Sequence, residues 1–447
     1  MIYKYNRKGI PNMKKRILLF ITLFITLINI YTLSFANEIN STDLAIYSSG
    51  AVLMDYQTGK ILMQKDMNKK LYPASTTKIL TAIIAIENLN LTDSLTASKS
   101  AVMAIPSGYS NAGIKAGEVL SVSDLLDMFL IHSANEIGYI FGEQISGSIE
   151  KFADLMNQKA IEIGCTNTHF TNPSGIHDIN HYSTAYDMAL IARYCMNNET
   201  FKNIVNKKNC KVSATELYPQ ERFYKNTNSL LDSSNKRYYY EYATGIKTGF
   251  TTQAKNCLIA SASKDGLNLI AVMLGAEATE NGLSGRYTDA KNLFNYGFEN
   301  YEKKEFLQSN SIVKKLKIKN ATKDTKELNL VAKSSLSTIF NINFDTSSLN
   351  PIIEINQNIS APISKDTILG KITYTIDGIS YSSDLIASSD VIKSNILEIL
   401  IQIVSAIILL IILSKILHHK YFINKKKKKK RHKKFEKNNS IYKFKFE

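Results

Sequence analysis

Cysteine is scarce in this 447-residue chain: Cys165, Cys195, Cys210 and Cys257 are too few and too scattered for a disulfide scaffold. Buried free thiols are the expected state. No CxxC or HExxH pattern occurs, and the spacing of His169, His177 and His181 fits no standard metal site, so neither a metal nor another cofactor is expected. No internal repeat is evident. Acidic residues are absent from positions 1–36, which hold six Lys or Arg, and rare in 418–447, where thirteen basic residues face Glu436 and Glu447. The formal net charge of +16 therefore sits in the two ends, and the body between them is within one charge of neutral. With no basic footprint on the body, no nucleic-acid partner is expected.

Both basic ends have topological explanations. Basic residues up to Arg16, an apolar run from Ile17 to Leu33 and small residues around Ser34-Phe35-Ala36 read as a secretory signal peptide over 1–36. A second apolar run, Ile396–Leu417, is long enough to cross a bilayer at about 1.5 Å per residue. Nine of the ten residues 425–434 are Lys or Arg. By the positive-inside rule they keep a 418–447 tail in the cytoplasm and the body on the extracytoplasmic face of the cell membrane.

The body divides by texture. Ala45–Met54 turns at Gln57-Thr58-Gly59 and returns through Ile61–Gln64 as a hairpin. Pro73–Glu87 is apolar nearly all round, which predicts a buried helix. Residues 97–200 read as mostly helical. Cys257–Ser263 and Leu267–Gly275 read as strands around Lys264-Asp265-Gly266, and Lys291–Glu302 as a closing helix. The pattern changes near 305 to a β-rich texture, giving a catalytic domain over 37–305 and a small β domain over 306–390.

Three short elements carry chemistry: Ser75-Thr76-Thr77-Lys78, Ser133-Ala134-Asn135 and Lys247-Thr248-Gly249. An SxxK pattern recurs at Ser233–Lys236, Ser261–Lys264 and Ser311–Lys314, so alone it says little; Lys-Thr-Gly occurs once. Ser75 follows Pro73 at the start of a buried helix, where free N–H groups and the helix dipole face a reacting atom. Lys78 lies one turn along among Ile79, Leu80 and Ile83, where burial depresses a lysine's pKa and makes it a base. Glycine at 249 lets a substrate backbone lie close; Lys247 and Thr248 offer a charge and a hydroxyl to a carboxylate. His132 needs no catalytic role, since Lys78 already supplies the base.

In this order the three elements resemble the signature of penicillin-binding proteins and β-lactamases. Leu71-Tyr72-Pro73-Ala74, Asn172-Pro173-Ser174-Gly175, His181-Tyr182-Ser183-Thr184 and Gly245-Ile246-Lys247-Thr248-Gly249-Phe250-Thr251 are similar to the low-molecular-weight D-alanyl-D-alanine carboxypeptidases. The resemblance spans about residues 40–300. It implies an α/β (α+β) fold: an antiparallel sheet with flanking helices and a helical lobe bearing Ser133, then an all-β domain and a membrane helix. It implies that Ser75 is the nucleophile, Lys78 its base and Ser133 a proton relay. Asn135 would hold the substrate amide, and Lys247, Thr248 and Gly249 would meet the terminal carboxylate. The backbone of Phe250 would join that of Ser75 around the oxyanion. The implied partners are peptidoglycan stem peptides and β-lactams, the latter as covalent inhibitors. Two positions depart from the family's pattern: Phe250, where histidine is frequent, and Ala254-Lys255, where Ala-Gly is. A β-lactamase, a transpeptidase or endopeptidase on the same site, and a silent wall-binding protein are the rival readings; no glutamate matches the deacylating one of class A β-lactamases.

Overall fold

A computed structural model describes residues 44–443; the leader assigned to 1–36 and the last four residues of the tail lie outside it. The chain divides into two compact units, one of residues 44–306 with Ser337–Ser348, the other of Leu307–Leu336 with the chain from Leu349 on.

The first unit is built on one antiparallel sheet. Strands β1 (Gly50–Asp55) and β2 (Ile61–Lys65) form the amino-terminal hairpin. Helices α1 (Lys78–Asn88), α2 (Glu136–Ser146), α3 (Ile149–Ile163) and α4 (Ala185–Met196) follow. Strands β3 (Ala243–Thr251), β4 (Lys255–Lys264) and β5 (Leu267–Ala276) then complete a sheet of order β2-β1-β5-β4-β3. The β4–β5 turn is Asp265-Gly266, both at positive φ, as a tight hairpin turn requires. Both sheet faces are covered, so the strands are apolar on both sides. Val52, Met54, Ile259, Ile270 and Val272 face a core shared with α1, α2 and α4. Their alternates Ala51, Leu53, Leu258, Ala260 and Leu269 face a second core with Leu293 and Phe294.

Two boundaries differ from the sequence reading. The closing helix, α5, runs Gly285–Asn300 rather than from 291, because its buried stripe begins at Tyr287 and continues through Ala290, Leu293, Phe294 and Gly297. Glu302 falls in a strand, Tyr301–Leu307. The first strand begins at Gly50, not Ala45. Before it, the N–H groups of Tyr47 and Ser48 donate to the buried Asp289 carboxylate at 2.9 and 2.8 Å instead of joining the sheet.

The second unit is a five-stranded antiparallel sheet in the order Ile312–Lys317, Glu327–Ala332, Ile379–Ala387, Ile368–Ile376, Ile352–Ile355. Leu328, Leu330, Ile372 and Leu385 form its core. The strand Leu336–Asn341 pairs instead with Tyr301–Leu307. The last helix, Ile396–Lys443, is continuous through the lysine run. Among the described residues it is the one helix long and apolar enough to cross a membrane. All four cysteines are buried and free.

Candidate active site

After Pro73 the chain enters a 3-10 turn, Ala74–Thr77, that leads into α1. Ser75 stands half-buried there, and Lys78 is wholly buried. Lys78 Nζ lies 2.8 Å from Ser75 Oγ, 2.7 Å from Asn135 Oδ1 and 3.0 Å from Ser174 O. Asn135 is oriented by its Nδ2, which donates to Ser110 O at 2.7 Å. Its oxygen therefore faces the lysine. Asn135 Oδ1 and Ser174 O can only accept hydrogen bonds. In its neutral form Lys78 can give them its two hydrogens and turn its lone pair to the Ser75 hydroxyl. Burial pushes Lys78 well below the usual lysine range; the Lys247 charge adds to this and Glu136 opposes it. This is the arrangement of a general base on a serine.

The wall behind Lys78 was visible in the sequence only as part of a resemblance, without roles. Asn172 Oδ1 accepts from the N–H groups of Ser174, Gly175 and Ile176 at 3.2, 2.8 and 3.1 Å. Thr81 Oγ1 donates to Pro173 O, and Ser174 Oγ to Asn135 O, each at 2.7 Å. Gly175 has φ +76°, and a Cβ on it would lie 1.9 Å from Ala74 O, so no other residue fits against the nucleophile turn. His181 is buried and neutral, its pKa lowered to about 3 by desolvation. The Thr171 N–H donates to its Nδ1 at 3.1 Å, which leaves the ring hydrogen on Nε2 to donate to Thr77 Oγ1 at 2.8 Å. The ring ties this wall to the nucleophile turn.

Ser133 ends a π-helical turn, Met128–His132, in the left-handed conformation (φ 71°). It is buried, and its hydroxyl has no hydrogen-bond partner among the described residues. His132 packs against Tyr224, ring centroids 4.6 Å apart.

Lys247, Thr248, Gly249 and Phe250 lie on β3, an edge strand. Lys247 is buried, donates among the described residues only to Thr248 O at 3.2 Å, and has its pKa lowered to about 7 by burial and then by Arg286. Thr248 Oγ1 lies 2.6 Å from Thr227 Oγ1. A Cβ on Gly249 would meet Pro73 O at 3.0 Å and both Ser75 N and Thr76 N at 3.1 Å, so the strand runs hard against the nucleophile turn. The Phe250 side chain is 61% exposed. Arg286, which sequence reasoning missed, donates to Gly249 O at 3.0 Å and has a buried Nε without a hydrogen-bond partner among the described residues. No spacing rule ties an arginine on α5 to the strand it supports. Ser75, Lys78 and Asn135 are thus in direct contact with Gly249 beside them, whereas no hydrogen bond joins Ser133, Lys247 or Thr248 to Ser75.

Residues 37–278 match the D-alanyl-D-alanine carboxypeptidase family, and 301–393 match the C-terminal domain of penicillin-binding protein 5. The D-alanyl-D-alanine carboxypeptidase DacF of Bacillus subtilis is 32% identical over 86% of this chain and 97% of its own length. The crystal structure of penicillin binding protein 5 from Haemophilus influenzae superposes with a TM-score of 0.59 at 28% identity, covering 79% of this chain and all of that one. DacD from Francisella tularensis gives 0.57 at 28% identity, over 80% of this chain and 97% of that one.

Proposed function

The chain belongs to the D-alanyl-D-alanine carboxypeptidase family of penicillin-binding serine hydrolases, and from that premise we propose how its residues divide the work. Ser75 Oγ attacks the carbonyl between the two terminal D-alanines of a peptidoglycan stem peptide while Lys78 Nζ takes its proton. The oxyanion sits between the N–H groups of Ser75 and Phe250, a contact worth about 3–4 kcal/mol per donor. The C–N bond then breaks. D-Alanine leaves with a proton relayed from Lys78 through Ser133, and water hydrolyses the ester on Ser75. Lys247 and Thr248 hold the terminal carboxylate against the Gly249 backbone. Asn135 holds the substrate amide through Nδ2 while its Oδ1 stays on Lys78. A β-lactam acylates the same serine.

The observation that carries this reading is the Lys78 amine, whose two acceptor-only partners leave its lone pair for Ser75 Oγ at 2.8 Å. We place the catalytic domain outside the cell, the β domain over 306–390, and a membrane anchor at Ile396–Leu417 with a cytoplasmic lysine tail. The support is the helix Ile396–Lys443, apolar first and basic after.

Incubation with diacetyl-Lys-D-Ala-D-Ala should release D-alanine, and mass spectrometry after penicillin treatment should find one adduct, on the Ser75 peptide. An adduct on another serine, or one that survives in Ser75→Ala, overturns the assignment.

A further inference from the structure

Six lysines fall between residues 314 and 326, against one acid, Asp324. Lys314, Lys315 and Lys317 lie on the edge strand Ile312–Lys317 of the second unit, and Lys319, Lys323 and Lys326 follow in the connection beyond it. All six are exposed, and none forms an ion pair with another described residue. Lysines on a sheet edge ordinarily guard against pairing with another strand. That accounts for the first three and not for the three beyond the strand.

The connection is stitched to the last residues before the apolar helix. The Thr322 N–H donates to Ile392 O at 2.9 Å, the Ile392 N–H to Thr325 Oγ1 at 3.1 Å and the Ser394 N–H to Asn320 O at 2.7 Å. Ala321 pairs with Lys393, a seventh exposed lysine, and Ile392 beside it exposes its apolar side chain. The helix starts at Ile396. At up to about 3.6 Å per residue, the Asn320–Ser394 bond lies within about 7 Å of it along the chain.

We propose that these lysines form a binding site for anionic lipid headgroups at the outer end of the helix. The inference rests on the reading of Ile396–Leu417 as the membrane anchor. Entry of the helix into the bilayer brings Lys319, Lys323, Lys326 and Lys393 within a Debye length, about 8–10 Å, of the headgroup phosphates. There each ammonium is drawn to a negative surface, while the lysine stems and Ile392 meet its apolar side. The carboxylates nearby are Asp324, Glu327, which stands opposite Lys317 in the register, and Asp390, whose Oδ1 already accepts the Lys365 N–H at 2.7 Å. Seven lysines against three acids leave this edge positive. A phosphate-rich wall polymer has the same charge, but nothing holds one beside these residues, whereas the helix holds the bilayer there. The helix remains the anchor; the lysines select the lipids around its outer end.

The protein has no tryptophan, so Ile399→Trp, one turn inside the helix, installs a single reporter in the full-length protein. Bromine on a lipid tail quenches a tryptophan only on contact. In mixed vesicles of phosphatidylglycerol and phosphatidylcholine, brominating one lipid and then the other reads which of them occupies this site. Phosphatidylglycerol should be favoured at least about five-fold. The preference should fall to parity in about 1 M salt and in the Lys319→Gln, Lys323→Gln, Lys326→Gln, Lys393→Gln combination. Leu413→Trp, at the opposite end of the apolar run, reads lipids beside the lysine tail and should not respond to those four substitutions. Parity at Ile399→Trp overturns the inference, as does a preference that survives the four substitutions. Parity there, with a dissolved glycerol-phosphate polymer retained on neutral vesicles that carry the protein, assigns the lysines to a wall polymer instead. No quenching by either brominated lipid refutes the anchor reading itself.

Discussion

Asn135 Oδ1 accepts a hydrogen bond from Lys78 Nζ at 2.7 Å, so the second sequence element grips the first before any substrate arrives. The bond aims the lysine's lone pair. Asn135→Ala should therefore slow acylation by roughly a hundred-fold and lower stability by about 1.5–3 kcal/mol, since Lys78 loses a partner. Fluorescent-penicillin kinetics and thermal melts check both; wild-type acylation in this variant would mean that Asn135 does not aim the base.

Gly175→Ala should be damaging out of proportion to one methyl group. The new Cβ meets Ala74 O at 1.9 Å and must push the nucleophile turn. Acylation should fall at least ten-fold with about 1–3 kcal/mol of destabilisation. Gly108 also has positive φ (+89°) but faces open space, so Gly108→Ala should cost only the backbone strain and leave acylation unchanged. Equal losses in the two variants would refute a role for the close contact.

Lys247 gives a prediction with a definite sign. Its folded pKa is about 7, below that of an ordinary lysine, so between pH 7 and about 10.4 the unfolded chain holds more protons than the folded one. Its contribution to stability therefore improves as pH rises through that window, and the burial penalty is fully present below pH 7. Lys247→Met should be more stable at pH 6 by about 1–4 kcal/mol and should lose this part of the pH slope. The same variant should lose turnover of a free-acid peptide while leaving the weak turnover of its amide little changed. Denaturant melts at pH 6 and 9 and paired substrates read the two effects separately; equal losses on acid and amide would argue against carboxylate recognition.

Much of the architecture was legible where local pattern and tertiary demand agree. Short apolar runs on either side of an Asp-Gly turn gave β4 and β5, and the all-round apolar stretch after Pro73 gave α1. The start of α5 was not, because Gly282 and Gly285 look like loop residues, and helix formation there depends on Tyr287 being buried. The Ser75–Lys78 contact followed from helix spacing. Arg286 and the contact of Ser174 O with Lys78 did not, since each joins residues far apart in sequence, and neither spacing nor composition marks such pairs.

Removal of residues from 396 onward should leave a protein that is soluble and cleaves D-alanine at about the full-length rate, because neither the apolar helix nor the lysine run supplies a site residue, and the cut spares Val391, which pairs with Ile363. Centrifugation and a D-alanine assay decide it. A truncated chain that still sedimented with membranes would point to another anchor, and a soluble but inactive one would give the helix a role beyond tethering.

A cut made earlier in the chain has a different consequence. Ser337–Ser348 belongs to the first unit although the residues on either side of it belong to the second. Its strand pairs with Tyr301–Leu307, Ile339 is buried in the same core as Tyr301 and Leu293, and the Ile342 N–H donates to Asn300 O at 3.0 Å. The peptidase is therefore a discontinuous body that the ribosome finishes only after most of the first half of the β sheet has been made. A fragment ending at Phe306 lacks a piece of its own core, and the shortest chain that can complete the enzyme must run past Ser348.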